Sequence, residues 1–294
     1  MDIPWDDLKL FLAVAETGSL SAAARRLRVA QPTVSRRLAD LESRMGGALF
    51  ARSVDGAKPT AFGDRLLVPA RRMAEWAVEV ERAAEGAESE VAGVVRLTAP
   101  PGVAFDVCAP FAASLRAELP KVRLEVMSSV QYLDLVRREA DLALRAQEPS
   151  QRDLVTLASI HFDAVPFASR AYAAKLAKKA RVEEVDWIGW AAPLDHLSPN
   201  RELARLIPGF EPVFASDDFL VQLRACEAGL GAMFLGRVRH RFTRASGLVP
   251  LPVALPPVPA SLYLVCARNA LAVPRIREVA ERLTAELSRA VTER

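Results

Sequence analysis

Apolar residues at helical spacing open the chain. They predict a first helix from Trp5 to Glu16 that ends near Gly18. Its buried face would carry Leu8, Phe11, Leu12 and Ala15. Ser21 fits the N-cap of a second short helix that runs through Leu27.

A third helix is predicted from Gln31 to Met45, with proline at its second residue and Gly46 after its end. Its apolar residues follow a 4-3-4 spacing and form one stripe: Val34, Leu38, Leu41 and Met45. At ~100° per residue, the side chains of Pro32, Ser35 and Arg36 point away from that stripe, and those of Thr33 and Arg37 flank it.

This arrangement is typical of the recognition helix of a helix-turn-helix, whose first residues reach base edges in the major groove. Arg36 can donate two hydrogen bonds to guanine and Gln31 can read adenine, while Thr33 and Ser35 suit phosphates or bases. A short hairpin, the wing, is predicted over 49–60 with a turn at Asp55–Gly56. The alternative is a generic three-helix domain with exposed arginines.

Residues 61–92 are predicted to form one long helix with a heptad pattern. The pattern indicates pairing with a second copy of the chain, and packing against the chain's own following domain is the alternative. Pro69 predicts a kink near the start. The dimerisation positions are Leu66, Ala70, Met73, Ala77, Val80 and Ala84.

From residue 93 onward, β-rich runs alternate with amphipathic stretches, which is typical of an α/β domain with ligand sites at the strand ends. Helices are expected over Val103–Glu118, Tyr132–Glu139, a segment ending at Glu227, and Arg275–Val291. Strands are expected over 93–98, 122–127, 141–145, 163–167, 188–191, 213–215, 231–235 and 262–267. The chain would cross between two lobes at Arg152–Val165 and Ala260–Arg268.

Composition is that of a soluble globular protein, and the charge distribution fits either a phosphate-binding surface or, as the equal alternative, a solvated helix face. The chain has 51% hydrophobic and 26% charged residues, no stretch near the ~18 apolar residues of a membrane span, and no secretory signal, so a cytoplasmic location is expected. The net charge is only +3. However, residues 25–37 hold basic side chains and no acidic one, namely Arg25, Arg26, Arg28, Arg36 and Arg37.

Catalytic and metal-binding motifs are missing. The three cysteines lie far apart, without zinc or CxxC spacing, and free cysteine usually packs as a small apolar residue. The three histidines fit no HExxH pattern, and there is no GxSxG motif or phosphate-binding glycine loop. We therefore expect no catalytic residue, no metal, no cofactor and no enzyme activity.

The N-terminal region resembles the LysR-type transcriptional regulators. The resemblance rests on FLAVAETGSLSAAA at 11–24, Leu27, QPTVSR at 31–36, Leu41–Glu42 and LFAR at 49–52, and it is looser but collinear to the C-terminus. Small departures are Ala30, Pro59 and Phe62.

The resemblance implies a winged helix-turn-helix over 1–60, a linker helix over 61–92 and a two-lobed, periplasmic-binding-protein-like effector domain over 93–294. Lobe I would comprise 93–162 and 267–294, and lobe II 163–266. It also implies double-stranded DNA and further copies of the chain as partners, usually in a tetramer, and leaves RNA polymerase open. The expected DNA contacts are Gln31, Pro32, Thr33, Ser35, Arg36, Arg37 and, on the wing, Arg52 and Thr60.

A small-molecule effector is expected between the lobes, where loops open helices and their backbone N–H groups favour an anion. For the serines, helix capping is the equal alternative. Pro100–Pro101 departs from the serine or threonine common in this loop of the family. The candidate residues are Thr98, Pro100, Gly102, Ser128, Ser129, His161, Phe162, Ser216, Asp217 and Phe234.

Two rival classes share parts of this pattern. Two-lobed α/β folds also occur in transport binding proteins and in some enzymes. The N-terminal helix-turn-helix argues against transport, and the missing acid–base set argues against catalysis. A winged-helix sensor of another kind, such as one for an oxyanion, is disfavoured by the density of the match between Phe11 and Arg52.

Overall fold

The computed structural model describes residues 3–53, 56–84, 91–176, 180–242 and 247–292. The chain divides into two compact units, Met1–Glu90 and Val91–Arg294. In the part of the chain that is described, no helix is both long and apolar enough to cross a membrane. The boundaries given above for the linker and the two lobes stay predictions.

The first unit is a three-helix domain with a β-hairpin and a long C-terminal helix. Its elements are α1 (Trp5–Thr17), α2 (Leu20–Leu27), α3 (Gln31–Met45), β1 (Phe50–Ser53), β2 (Gly56–Pro59) and α4 (Ala61–Ala84). The predicted N-cap of α2, Ser21, is wrong. Ser19, in an extended conformation, accepts the hydrogen bond from the amide of Ala22 at 3.4 Å, so the helix starts at Leu20 and Ser21 lies in its first turn.

The apolar stripe of α3 is buried as its spacing predicts: Val34 and Leu38 have no exposed surface and pack with Phe11 of α1 and Leu49 beside the wing. The hairpin docks on the loop after α1, where the Ala57 amide donates to the Gly18 carbonyl at 2.8 Å. Gly56 is required there, since it has a φ of +124° and a Cβ would lie 2.4 Å from that carbonyl oxygen.

The linker helix differs from its prediction in extent and in its buried face. α4 is described to Ala84, residues 85–90 lie outside the described part, and residues 91–92 are not helical. Leu66 and Ala70, the first two predicted dimerisation positions, pack against the core of their own unit, and Ala70 is 2% exposed. α4 contributes to that core because the three short helices leave an apolar face that α4 covers.

The second unit alternates strands with short helices. Its elements in order are β3 (Gly93–Ala99), α5 (Pro101–Val103), a π-helical turn (Ala104–Cys108), α6 (Ala109–Glu118), β4 (Val122–Ser128), β5 (Leu142–Arg145), β6 (Leu154–Ser169), α7 (Arg170–Ala173), a 3₁₀ turn (Val182–Glu184), β7 (Ile188–Trp190), α8 (Asn200–Leu206), β8 (Phe214–Ser216), α9 (Phe219–Glu227), β9 (Ala232–Gly236), β10 (Val238–Arg239), β11 (Leu248–Pro250), β12 (Val258–Ala267), a 3₁₀ turn (Arg268–Ala272), α10 (Pro274–Ser288) and β13 (Val291–Thr292).

Seven strands form one mixed sheet in the order β11-β6-β12-β5-β3-β4, with β9 also paired to β6. β3 runs parallel to β4 and β5. β6 and β12 are antiparallel, and their pairing runs from Leu154 opposite Ala267 to Ala164 opposite Val258. Both predicted crossings between the lobes therefore fall within long paired strands. The strand predictions that began at residues 163 and 262 were too short, because the pairing of β6 with β12 continues through the crossings, with one register shift between Leu264 and Val265.

One predicted helix is absent. Residues 132–139 form turns, because the Asp134 carboxylate accepts the amides of Val136 and Arg137 at 2.9 and 3.0 Å and Arg138 takes a left-handed φ of 61°. The helix predicted from Val103 begins at Pro101 and contains the π turn, and the last helix ends at Ser288 rather than Val291. The residues that follow it form β13 instead.

The three cysteines are buried in this unit. Burial raises the pKa of the Cys108 thiol to about 12 and those of Cys226 and Cys266 to about 11. Thiolate, the reactive form, is therefore scarce at neutral pH. All three thiols are therefore buried and mainly protonated, which argues against a redox switch.

Candidate nucleic-acid interface and inter-lobe cavity

The N-terminal half of α3 presents polar side chains opposite its buried stripe. Gln31, Pro32 and Arg36 are exposed, and Thr33 and Ser35 are half-buried. The Arg36 guanidinium makes no ion pair with another described residue. Its five N–H donors are therefore open to an external acceptor.

The start of α3 is electropositive for a second reason. Its N-cap residue, Ala30, offers no side-chain acceptor to the first backbone N–H groups of the helix. The arginines of the preceding helix add charge: Arg25 and Arg28 are exposed, while Arg26 is bound to Glu16 at 2.6 Å. Pro32 has no N–H and the Thr33 amide donates to the Ala30 carbonyl at 3.0 Å, so an anion beside this end of α3 would meet the helix dipole and these guanidinium groups.

Arg37 has a different environment from its neighbour. Its Nε and Nη2 atoms donate to one carboxylate oxygen of Asp7 at 2.9 and 2.6 Å, and Arg44 donates to the other oxygen. Burial alone would raise the pKa of Asp7, but the hydrogen bonds and charges of the two arginines outweigh it and hold that pKa below its ordinary value. The structure thus places Arg37, on the flank of the buried stripe, in an ion pair between α3 and α1, and its predicted DNA contact stays a prediction.

The two wing residues that were predicted to contact DNA, Arg52 and Thr60, have different environments. Thr60 donates its hydroxyl to the Ala48 carbonyl at 2.7 Å and accepts the Gly63 amide at 3.1 Å, so it caps α4. A carboxylate oxygen of Glu42 accepts the amides of Leu49 and Phe50 at 2.7 and 3.2 Å and fixes the approach to the wing. Arg52 lies in β1, and its side chain lies outside the described residues.

A cavity of about 740 Å³ opens in the second unit between the two predicted lobes. Three of the predicted effector residues line it: Pro100, Gly102 and Phe162. The Phe219 ring of α9 lies against Gly102, where a Cβ would be 2.8 Å away. The loop at Pro100–Pro101 therefore forms part of the wall and leaves the cavity unfilled.

The other predicted effector residues do not line this cavity. Thr98 is buried within β3, Ser128 and Asp217 are exposed, and the remaining four are engaged locally. The Ser129 hydroxyl accepts the Gln131 amide at 3.0 Å, and the Ser216 hydroxyl accepts the Asp218 amide at 3.1 Å. His161 is hydrogen-bonded to Ser261 at 2.9 Å. The Phe234 ring stacks on the Trp187 ring, with centroids 5.5 Å apart. Phe234 borders a smaller pocket of about 140 Å³.

Besides the predicted Phe162, several residues that sequence reasoning missed line the large cavity. Its aromatic surface comes from Phe162, Phe167, Trp190, Phe219 and Phe242, and its charged groups from Asp106, Arg170, Arg237, Arg239 and Glu286, with His240 beside them. Burial holds the pKa of His240 below its ordinary value despite the charges of Asp106 and Glu286, which favours the neutral imidazole. Phe219 near the start of α9 and Phe242 after β9 are aromatic residues in the sequence, but nothing in their spacing indicated a shared cavity.

Residues 237–242, which we call the strap, follow β9 and contact elements of the other predicted lobe. Arg241 bonds Glu286 of α10 at 3.0 Å and the Ser114 hydroxyl of α6 at 2.6 Å. Within the strap, β10 pairs antiparallel with β13. The strap and the end of α10 together form one wall of the cavity.

Comparison with known proteins agrees with this arrangement. Residues 5–64 match the family described as "Bacterial regulatory helix-turn-helix protein, lysR family", and residues 88–288 match the "LysR substrate binding domain". The second match alone spans more than half of the chain. The chain belongs to the LysR family of bacterial transcription regulators.

Individual relatives are distant. The chain is 28% identical to the Mau operon transcriptional activator of Paracoccus denitrificans over 79% of this chain and 78% of that protein. It is 30% identical to an HTH-type transcriptional regulator of Xanthomonas campestris pv. campestris over 62% of this chain, which spans about half (53%) of that relative.

Solved structures share the fold over the whole length. CrgA of Neisseria meningitidis, described as a LysR-type transcriptional regulator, has a TM-score of 0.56 at 23% identity and covers 97% of this chain and 99% of its own. Full-length CbnR in complex with its target DNA has a TM-score of 0.59 at 20% identity, over 96% of this chain and 100% of its own.

Proposed function

We propose that this protein binds a specific operator through α3 and that a small molecule held in the inter-lobe cavity changes its affinity for that operator. The observation that carries the first part is the exposed, unpaired Arg36 beside the uncapped start of α3. In a helix-turn-helix, this end of the second helix enters the major groove. The structure of the similarly folded CbnR was solved with its target DNA, which supports DNA as the partner of this chain.

The proposed roles follow from exposure and partners. Arg36 and Gln31 read base edges, because both are exposed and can form paired hydrogen bonds with guanine and adenine. Thr33 and Ser35, which are half-buried, bind phosphates or the nearest bases. Arg25 and Arg28 contact phosphates and add affinity without reading sequence.

The first prediction separates base reading from phosphate binding. Arg36→Ala should weaken operator binding by about 1–3 kcal/mol and reduce the preference for operator over random DNA. Arg25→Ala, the matched control on α2, should weaken both DNAs equally and make binding less salt-dependent. Titration by gel shift at fixed salt measures both ratios. Unchanged discrimination in Arg36→Ala would show that α3 does not read bases through this residue.

The second part of the proposal rests on the cavity and on its walls, which come from both predicted lobes. Lobe I contributes Pro100 and Glu286, and lobe II contributes Trp190 and Phe219. A ligand that contacts both sides binds one lobe arrangement better than others, and this difference is the source of coupling to DNA. Such coupling is typically about 1–3 kcal/mol.

Regulation without catalysis is supported by the relatives, which are described as transcriptional regulators. We propose that the protein is no enzyme, needs no cofactor besides its effector, and works in the cytoplasm. Transcription then requires RNA polymerase as a partner.

We further propose that copies of the chain pair through the part of α4 beyond Ala70. Met73 and Val80 are seven residues apart, lie on one face of the helix and are 45% and 68% exposed. A pair of helix-turn-helix units reads two half-sites, which requires such an assembly. A tetramer, the usual assembly in the family, would combine two of these dimers.

A further inference from the structure

We infer that the inter-lobe cavity takes a ring-bearing organic acid larger than one benzene ring, with its rings among the aromatic side chains and its carboxylate on Arg170. This inference rests on the proposed function, because it names the chemical class of the effector. The sequence predicts the anion at helix N-termini, whereas this inference assigns it to the Arg170 guanidinium in predicted lobe II.

The size of the cavity sets the lower bound. Its volume of about 740 Å³ lies within the ~300–1,000 Å³ of sites that enclose drug-sized ligands. A single benzene ring with one carboxylate would leave most of the apolar wall in contact with water. A two-ring body buries more of that wall and gains more from leaving water.

The walls favour flat, apolar groups. Five aromatic side chains line the cavity together with aliphatic ones from β6, α9 and β12 such as Ile160, Leu223 and Leu262. The Trp190 indole N–H donates to the Ser198 carbonyl at 3.0 Å, so its one polar atom already has a partner. Stacked and edge-to-face contacts with such rings are favourable beyond the effect of the buried area alone.

Two of these rings are held in place by glycines. A Cβ at Gly102 would lie 2.8 Å from the Phe219 ring, and one at Gly236 would lie 2.6 Å from the Phe162 ring. Both rings therefore rest directly on backbone. Aromatic surfaces that are fixed before the ligand arrives lose little side-chain entropy on binding, which favours a rigid ring over a flexible chain.

The charges favour an acid. Three arginines and two carboxylates line the cavity. Glu286 is neutralised by its two arginine partners, whereas the Arg170 side chain is exposed and makes no ion pair with another described residue. A guanidinium binds a carboxylate through two parallel hydrogen bonds. The serines that could have offered another anion site, Ser129 and Ser216, are bound within their own turns.

The test uses the full-length protein and four probes: 2-naphthoate, benzoate, 2-naphthalenemethanol and decanoate. Binding is followed by quenching of tryptophan fluorescence, with Trp190→Phe to assign the signal. We expect 2-naphthoate to bind at least about tenfold more tightly than each of the others, a difference of about 1.4 kcal/mol. Benzoate tests size, the alcohol tests charge and decanoate tests the ring.

Variants locate the carboxylate and the rings. Arg170→Gln should weaken 2-naphthoate about tenfold and leave 2-naphthalenemethanol unchanged, since only a charge-assisted hydrogen bond is lost. Arg205→Gln is the control, because Arg205 is an exposed arginine of the same predicted lobe that does not line the cavity. Gly102→Ala should weaken both naphthyl probes by displacing the Phe219 ring.

Each outcome decides a separate point. Equal binding of the acid and the alcohol, or no effect of Arg170→Gln, overturns the carboxylate site, and equal binding of decanoate overturns the ring. If no probe binds, the ligand class is wrong, while the loss of discrimination in Arg36→Ala still supports the DNA function. If 2-naphthoate binds as expected but operator affinity does not change, the ligand class stands and the proposed coupling fails.

Discussion

Arg36 and Arg37 are adjacent residues of one type in different environments. Arg36 is exposed and faces outward from α3, whereas Arg37 is turned toward α1 and bonds a carboxylate that is 8% exposed. The 100° between them on the helix accounts for the difference. A substitution at either position would reduce DNA binding, but at Arg37 the loss would come through the fold.

Asp7 makes the stability of the N-terminal unit depend on pH. Because its pKa is lower in the folded than in the unfolded chain, the stabilisation is complete above the unfolded pKa of about 3.9 and is lost as the pH falls through the folded pKa. Asp7→Asn should lower the free energy of unfolding by about 1.5–3 kcal/mol at pH 7 and by much less at low pH.

Hydrogen exchange at the amides of α1 in the full-length protein measures this effect for the N-terminal unit alone. Asp6→Asn is the control, because the Asp6 side chain is 75% exposed and lies 4.0 Å from Lys9. That variant should exchange like the wild type at every pH. The same loss of protection in both variants would contradict the role given to the buried carboxylate.

At the scale of elements, the strap joins the two predicted lobes through a few polar contacts. Arg241→Ala removes its bonds to Glu286 and Ser114. We expect faster hydrogen exchange at residues 237–242 and in β13, with unchanged protection in β6 and β12, because few buried contacts otherwise hold this segment.

Arg289→Ala supplies the matched control for the strap. Arg289 also pairs with Glu286, at 3.2 Å, but it follows α10 directly and does not reach the strap. Its loss should leave exchange in 237–242 unchanged. If both variants behave alike, the strap is held by its backbone pairing with β13 and not by Arg241.

Elements with a strong period could be predicted from the sequence, and partners far along the chain could not. The 4-3-4 spacing located α3, but nothing near Arg37 indicated Asp7 thirty residues earlier. Strand alternation places His161 and Phe162 on opposite faces of β6, and only Phe162 meets the cavity. Ser129 and Ser216 cap their own turns, which the same residue type does as readily as it binds a ligand.

For the molecule as a whole, α4 carries the proposed pairing. Met73→Glu combined with Val80→Glu should produce a smaller species in sedimentation velocity, because the carboxylates would have to be buried between helices. Val68→Glu combined with Val78→Glu adds the same charge on other faces of α4, where both valines are also exposed. That control should keep the wild-type assembly. An unchanged sedimentation coefficient in the first variant would place the interface elsewhere.

The ladder between β6 and β12 has a consequence for biosynthesis. Its partners, such as Ala164 and Val258, are separated by nearly all of predicted lobe II. Domains with so many distant contacts fold slowly, since loop closure must precede the gain from pairing. On the ribosome, β6 emerges long before β12 and waits with an open edge, which is a template for association with other chains. The nascent domain therefore exposes this edge of β6 to association with other chains until β12 has been made.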